Sequence, residues 1–261
     1  MTGTLLNVGA IVAGASVGML LGGRLPARVR STVTDVLGLF VAVLGIHDAM
    51  RTFGDGLSAE LGRAAVLVVL GSLLVGGVIG EAIDLERRLE QVGTWLRDLA
   101  MRGRETMPVE ASGPDRATLA QDHPPHDPRH RFVEGFVICS LVVCVGPLAI
   151  LGSLQDGLTG DYQLLAVKSL LDAFAALAFA AALGVGVAFA ALPLFLWQGG
   201  ITLLAGALEG AVTPVMIEAL TAVGGFLVVG IGLRLLEIRA VRVANLLPAL
   251  LIAPLAVRLW P

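Results

Sequence analysis

Apolar runs close to 20 residues long recur along this 261-residue chain, separated by short segments that carry charge. A helix needs about 20 apolar residues to cross the roughly 30 Å hydrocarbon core of a bilayer. Hydrophobic residues make up 56% of the chain and charged residues 15%, which is too little charge to cover the surface of a soluble domain of this size. The sequence therefore predicts an all-α polytopic membrane protein.

About eight transmembrane helices are predicted, at 4–22, 32–50, 64–81, 133–153, 163–184, 187–208, 215–234 and 242–259. The stretch 164–208 is too long for one crossing, and its glycines Gly184 and Gly186 mark the predicted turn. Gly146 and Pro147 fall inside the fourth helix, where proline removes a backbone donor and frees carbonyl groups. We therefore expect a broken helix near the membrane midplane.

Arginine indicates the orientation, because cytoplasmic loops retain positive charge. Most arginines fall in three loops that share one side if there are eight crossings, and Arg51, Arg63 and Arg258 oppose this pattern. The loops 154–162 and 209–214 contain neither Arg nor Lys. These features predict a multi-pass protein of the bacterial inner membrane with both termini outside the cytoplasm.

Three units follow from this pattern: an N-terminal three-helix membrane unit (1–82), a cytoplasmic segment (83–131) and a C-terminal five-helix membrane unit (132–261). Within the cytoplasmic segment, 83–104 has apolar residues at helical spacing and is predicted to lie as an amphipathic helix on the inner membrane surface. Its continuation, 105–130, is rich in Pro, Asp and small residues, which favours a flexible linker.

The linker contains three histidines, His123, His126 and His130, set among prolines. Metal sites need ligands in a fixed geometry, which such a segment does not supply. We therefore predict no metal site and no cofactor.

The two membrane units share a short similarity, between VAVLGI at 41–46 and LVVGIG at 227–232. If helices one to three correspond to helices six to eight, the predicted orientation makes the copies an inverted repeat. Many secondary transporters have this design, with the substrate site near the midplane between the copies. Apolar helices also resemble each other by chance, so a true repeat and a coincidence both stay open.

Charged residues stand between the two longest apolar stretches, at Asp156, Asp161, Lys168 and Asp172. Lys168, the only lysine of the chain, and Asp172 are four residues apart and share a face of the fifth predicted helix. Asp172 is expected about 13 Å along that helix, where a lone carboxylate costs roughly 3 kcal/mol. Either the pair is a structural lock between helices five and four, or Asp172 with Asp156 or Asp161 binds a cation, a proton or the amino group of a solute.

Four further polar residues stand in or at the ends of apolar runs: Asn7, Glu134, Gln198 and Asn245. They are expected either to form hydrogen bonds between helices or to line the same cavity as Asp172. Candidate hinges for a rearrangement of the helices are Gly146, Pro147, Gly184 and Gly186.

Three stretches carry a resemblance to a known family: FVEGFVICSLVVCVGPLAILGSLQDGLTGD at 132–161, AVKSLLDAFAALAFAAALGVGVAFAALPLFLWQGGITLLA at 166–205, and LTAVGGFLVVGIGLRLL through VANLLPALLIAPL at 220–255. The chain resembles the YqgA/YdfK-like family of uncharacterised bacterial inner-membrane proteins over nearly all but 105–130. Members of this family are labelled only as possible transport proteins, so the resemblance implies a role in transport without naming a substrate. The polar positions kept from the family are the eight candidate site residues: Asn7, Glu134, Asp156, Asp161, Lys168, Asp172, Gln198 and Asn245.

We expect a secondary transporter of a small solute or ion, with cation or proton coupling at intramembrane carboxylates. An oligomeric ion channel and a non-transport membrane scaffold are the alternatives. No Ser/His, HExxH or paired-aspartate helix motif indicates an enzyme, and a net charge of -3 indicates no nucleic-acid partner. The expected partners are the lipid bilayer, a small solute or cation and, for a channel, further copies of the chain.

Overall fold

Helices form all the regular structure in the computed structural model, which describes residues 1–24, 26–101, 128–144 and 146–260. They are α1 (Thr2–Gly22), α2 (Ala27–Ala49), α3 (Asp55–Leu61), α4 (Ala64–Ala82), α5 (Leu85–Met101), α6 (Pro128–Cys144), α7 (Pro147–Thr159), α8 (Gln163–Leu183), α9 (Ala191–Leu203), α10 (Ala205–Leu208), α11 (Pro214–Leu235) and α12 (Pro248–Leu259). Short 3₁₀ turns occupy Met50–Phe53, Val185–Ala190 and Val243–Leu246. The all-α prediction is confirmed, while His123 and His126 of the predicted linker lie outside the described residues.

Six helical segments in the described ranges are long and apolar enough to cross a membrane: Thr2–Gly22, Ser31–Leu61, Ala64–Ala82, Gln163–Leu183, Val185–Leu203 and Pro214–Leu235. The pair α6 and α7 is a seventh if it counts as one span, and the shorter apolar segment Val243–Leu259 follows. Large apolar side chains point outward from these helices, as Leu20 and Val78 do at 70% and 71% exposure. A polytopic membrane protein is thus confirmed, and eight crossings stay a prediction.

The fourth predicted helix, 133–153, is broken as expected. Helix α6 ends at Cys144, helix α7 begins at Pro147, and the two axes are bent by 63°. Between them Gly146 has an extended backbone conformation and caps α7. Proline is well tolerated at the first position of a helix, because no hydrogen bond from its nitrogen is needed there.

The predicted loop 154–162 is shorter in the structure than in the prediction, whereas the turn predicted at Gly184 lies where it was expected. Helix α7 continues to Thr159, so most of the predicted loop 154–162 is helical, and Gly160 ends it with a φ of +74°. The turn predicted at Gly184 is present, since that residue ends α8 with a φ of +89°. Glycine adopts both conformations without steric cost.

Glycines on α1 let this helix pack directly against the backbone of α8. A Cβ atom at Gly14 would lie 2.2 Å from the carbonyl oxygen of Ala173, and one at Gly18 would lie 2.2 Å from that of Leu177. Small residues at such spacing allow close approach of membrane helices. Because the contacts advance in the same direction along both helices, α1 and α8 are parallel.

Close glycine contacts also join α2 to α11 and α4 to α12, at Gly38 with Leu236, Gly45 with Gly225, Gly80 with Asn245 and Gly76 with Ala249. In both pairs the contacts advance in opposite directions, so these helices are antiparallel. Since α1 and α8 begin at the same end of the bundle, an odd number of passages must separate them. Helices α2 and α4 and the bent pair α6–α7 supply three, so the bent pair acts as one passage.

The two ends of the bundle follow from these directions. Gly186, just after α8, packs on Phe132 near the start of α6. Glu134 of α6 lies beside Arg234 near the end of α11. The end of α4 and the start of α12 meet at Asn245, which also contacts the start of α5. We call this side the opposite end and the side where α1 and α8 begin the terminal end.

Helix α5 lies within the predicted amphipathic segment 83–104. Its Leu96 packs against Phe132 and Phe136 of α6. Val92 and Trp95, by contrast, are 46% and 62% exposed. An apolar face that is only partly covered by protein is compatible with the membrane surface, and the location of α5 on that surface stays a prediction.

The close approach of α1 to α8 predicts a sharp effect of Gly14→Ala. The new methyl group would overlap the Ala173 carbonyl oxygen, so we expect a loss of about 1–3 kcal/mol in unfolding free energy, measured as a lower thermal unfolding midpoint of purified protein in detergent. Gly9→Ala on the same helix is the control, because a Cβ there meets no atom within 4 Å. Equal midpoints for the two variants would contradict the packing.

Candidate functional site

Four of the eight candidate residues come together inside the bundle: Asn7 of α1, Lys168 and Asp172 of α8, and Gln198 of α9. Asn7 and Gln198 are fully buried, and Lys168 and Asp172 are only 5% and 8% exposed. We call these four residues the buried polar cluster. Polar groups at this depth need partners, because water does not solvate them.

Lys168 and Asp172 form an ion pair within α8, one helical turn apart, as their spacing predicts. The Lys168 ammonium also donates a hydrogen bond to the carbonyl oxygen of Val143, at 2.8 Å. In a continuous helix that carbonyl would accept from the amide of residue 147, which is Pro147 and has no N–H. The helix break therefore leaves an acceptor that the lysine satisfies.

The amide of Asn7 links the carboxylate to α9. Its Nδ2 donates to Asp172 Oδ2 at 2.9 Å and to Gln198 Oε1 at 3.3 Å. An ionised carboxylate only accepts hydrogen bonds, so the NH₂ side of the Asn7 amide, and not its oxygen, faces Asp172. Asn7 Oδ1 and Gln198 Nε2 are then buried with no hydrogen-bond partner among the described residues. An unpaired acceptor and donor in one buried cluster leave hydrogen-bonding capacity that a water molecule or a small polar ligand is able to satisfy.

Two threonines extend the polar surface toward the terminal end and were missed from the sequence. Thr4 Oγ1 and Thr202 Oγ1 are 3.4 Å apart, and both residues are buried. Threonine in an apolar run is a weak signal. The helical spacing contained the information, since Thr4 stands three residues before Asn7 and Thr202 four after Gln198, on the same helix faces.

The carboxylates of Asp156 and Asp161 are engaged elsewhere. Asp156 Oδ2 accepts from the Gly3 amide at 3.1 Å and lies 2.8 Å from the backbone nitrogen of Met1, so it ties α7 to the start of α1. Asp161 accepts from the Gln163 amide at 3.0 Å, at the start of α8. In the described part of the chain, no hydrogen bond or ion pair joins either residue to Asp172, and their roles in binding stay predictions.

Asn245 and Glu134 lie at the opposite end, where Asn245 forms hydrogen bonds between helices, the first of the two alternatives expected for it, and a binding role of either residue stays a prediction. Asn245 Nδ2 donates to Glu81 Oε2 at 2.7 Å, and its Oδ1 accepts from the Glu86 amide at 2.7 Å. Arg234 donates to Glu86 Oε1 at 2.7 Å, and its Nε lies 3.9 Å from Glu134 Oε1. The sequence does not predict these contacts, because Glu134 and Arg234, like Asn245 and Glu81, are about 100 or more positions apart and meet only through helix packing.

The candidate hinge glycines differ in how much free space surrounds them. A Cβ at Gly146 or at Gly184 would meet no atom within 4 Å, so both positions have free space around them. A Cβ at Gly186 would lie 1.9 Å from the carbonyl oxygen of Phe132, which makes Gly186 a close-packing position. The hinge function of these residues and of Pro147 stays a prediction.

An apolar cavity of about 480 Å³ lies among α6, α9, α11 and α12. Its wall includes Cys144 and Trp197, which are the chain neighbours of Val143 and Gln198. Trp197 Nε1 is buried and finds no acceptor among the described residues. The cavity is therefore lined by residues that adjoin Val143 and Gln198 in the chain, while none of the four residues of the buried polar cluster lines it. Within the described ranges, no three His, Cys, Asp or Glu side chains are grouped to hold a metal ion.

The ion pair predicts a strong coupling between Lys168 and Asp172. Lys168→Met should leave the buried carboxylate without its counterion and lower the unfolding free energy by about 3–5 kcal/mol. Adding Asp172→Asn should restore much of that loss, because a neutral amide still accepts from Asn7. Denaturant unfolding of both single variants and the double variant forms a double-mutant cycle. Additive losses would show that the two side chains are not coupled.

Comparisons with known proteins agree with the membrane fold. The model of a family described as "Protein of unknown function (DUF554)" matches residues 2–258. The chain is 30% identical over 257 residues to the uncharacterized membrane protein YdfK of Bacillus subtilis, covering 98% of this chain and 96% of the relative. It is 31% identical over 251 residues to the uncharacterized protein YqgA of Escherichia coli, covering 96% of this chain and 94% of the relative. No solved structure matches the chain. Because the family model spans nearly its whole length, the chain belongs to the DUF554 family.

Proposed function

We propose that this protein is a secondary transporter of a small polar solute or ion, coupled to a proton or cation at Asp172. One observation carries the proposal: the buried ion pair Lys168–Asp172 lies against a carbonyl freed by a broken helix, with an unpaired amide acceptor and donor beside it. Ionisable groups inside membranes are costly and typically mark substrate or ion pathways. Broken helices near the midplane are where many transporters bind their substrates.

The depth of the ion pair supports this function. Helix α8 begins at Gln163, so Lys168 and Asp172 lie about 8 Å and 13 Å along its axis. Both positions fall inside a hydrocarbon core roughly 30 Å thick if α8 spans it from end to end. Stability alone does not require charges there, since well-packed apolar residues would serve as well.

The arrangement of helices supports an inverted repeat that relates α1, α2 and α4 to α9, α11 and α12. The helices of each proposed pair are antiparallel, as inversion of the copies in the membrane requires, and they are also in contact. Within the first pair, Asn7 contacts Gln198 and Thr4 contacts Thr202. The buried polar cluster therefore lies where the proposed copies meet.

We also propose that the terminal end faces away from the cytoplasm of a bacterial inner membrane. The arginines at the opposite end, where α1 and α11 end and α2 and α5 begin, include Arg24, Arg28, Arg87, Arg88, Arg234, Arg239 and Arg242. Arg51, Arg63 and Arg258 stand at the terminal end. Cytoplasmic loops carry the excess of arginine, and the larger share lies at the opposite end.

Purified protein reconstituted in liposomes tests transport, with the pH dye pyranine inside one set and a sodium- or potassium-sensitive dye inside another, because the proposed coupling ion is a proton or a cation. Pools of amino acids, amines, organic acids and alkali cations are added outside in turn, at fixed membrane potential. A coupled transporter produces a saturable flux that depends on one pool and on the ion gradient. Single-channel current would support the channel instead, and no flux with any pool would contradict transport.

Asp172→Asn should lower the initial rate of that flux to the level of protein-free liposomes, because the neutral amide neither binds a proton nor balances a cation. The variant keeps an acceptor for Asn7 and is checked for folding by size-exclusion chromatography and thermal unfolding. Glu60→Gln is the control, since Glu60 is an exposed carboxylate on α3. A folded Asp172→Asn protein with the wild-type rate would show that the ion pair serves structure alone.

A further inference from the structure

We propose that the Lys168 ammonium occupies a binding site for a monovalent cation, so that this lysine acts as a tethered substitute for a free ion. The inference concerns what the site holds and does not depend on transport. It starts from the groups that surround Lys168 Nζ rather than from the pairing of charges alone.

The oxygen atoms around Lys168 Nζ are of the kinds that bind alkali cations. One is a carboxylate oxygen of Asp172, on the same helix. Another is the carbonyl oxygen of Val143, 2.8 Å away, in the last turn of α6. Carbonyl groups at the C-terminal end of a helix carry partial negative charge, and half-helix C-termini with unwound carbonyls coordinate cations in transporters.

Helix α1, the third helix at the site, holds the Asp172 carboxylate in position. Asn7 of α1 donates to Asp172 Oδ2 at 2.9 Å and so holds the carboxylate in place. Asn7 Oδ1 is a further acceptor that is buried and unpaired in the part of the chain described. Oxygens from α6 and α8 thus meet at one positive charge, which Lys168 supplies from one turn away, while Asn7 of α1 holds the carboxylate that contacts it.

A purely structural ion pair makes a different prediction. In that case Lys168 contributes through its tether and its packing, and its loss would not be repaired by small ions in solution. If the oxygens form a cation site, removal of the lysine side chain leaves a site that a free cation of suitable size fills and stabilises. Binding to the folded state alone raises the unfolding temperature in a saturable way.

The experiment uses full-length Lys168→Ala protein purified in detergent and follows its thermal unfolding. The probes are NaCl, KCl, ammonium chloride and methylammonium chloride, with choline chloride at the same ionic strength as the control for salt screening. We expect a lower midpoint than that of the wild type in choline. We expect sodium, ammonium or methylammonium to raise it saturably toward the wild-type value, and the wild type to show no such selectivity.

The double variant Lys168→Ala/Asp172→Asn separates the site from a general effect of salt, because it removes the carboxylate that a cation needs. It should respond equally to all the salts. Should Lys168→Ala fail to fold, Lys168→Ser, whose short side chain also leaves the position of the ammonium group empty, is measured in the same way. Equal midpoints of the folded single variant in choline and in every smaller cation would overturn the proposal.

Rescue by a small cation without flux in liposomes would support the cation site and contradict the proposed transport. Flux without rescue would do the reverse. If both rescue and flux are observed, the wild-type site already holds the positive charge of Lys168 and needs no free metal cation. The coupling ion is then a proton rather than an alkali cation, an inference that rests on the proposed function.

Discussion

The contact between the Lys168 ammonium and the Val143 carbonyl links the broken helix to the buried charges. Pro147 cannot donate the hydrogen bond that this carbonyl would receive in a continuous helix. Lys168 donates instead and at the same time neutralises Asp172. Lysine therefore serves both features: without it, the Val143 carbonyl would lack a donor and the Asp172 carboxylate would lack its counterion in an apolar bundle.

Close helix packing delivers the other groups to this contact. The backbone of α1 approaches α8 at Gly14 and Gly18, and this approach sets the distance at which Asn7 reaches Asp172. Helix α9 crosses near the start of α1 in the opposite direction and brings Gln198 to the same amide. The site is thus a product of three helices, and glycine sets the distance between two of them, α1 and α8.

Carboxylates have different surroundings at the two depths of the bundle. At the opposite end, Glu81 and Glu86 are neutralised by Arg242 and Arg234 and receive hydrogen bonds from the Asn245 side chain and the Ala244 amide. These contacts join the start of α5 to the end of α11 and to the turn before α12. Near the middle of the bundle, the described residues instead carry their charge in the ion pair of Lys168 and Asp172. The carboxylates of Glu81 and Glu86 thus join helix ends to one another, whereas that of Asp172 lies beside buried atoms that have no hydrogen-bond partner among the described residues.

Local pattern determined much of this protein. The length of the apolar runs fixed the membrane fold, proline fixed the helix break, and a spacing of four residues placed Lys168 beside Asp172, because each of these depends on neighbours within a few turns. Tertiary structure alone decided that Asn7 reaches Asp172, 165 positions away, that Asp156 holds the start of α1, and that Asn245 belongs to the opposite end. Those contacts depend on helix direction and on how closely backbones approach, which hydropathy and periodicity within one helix do not specify.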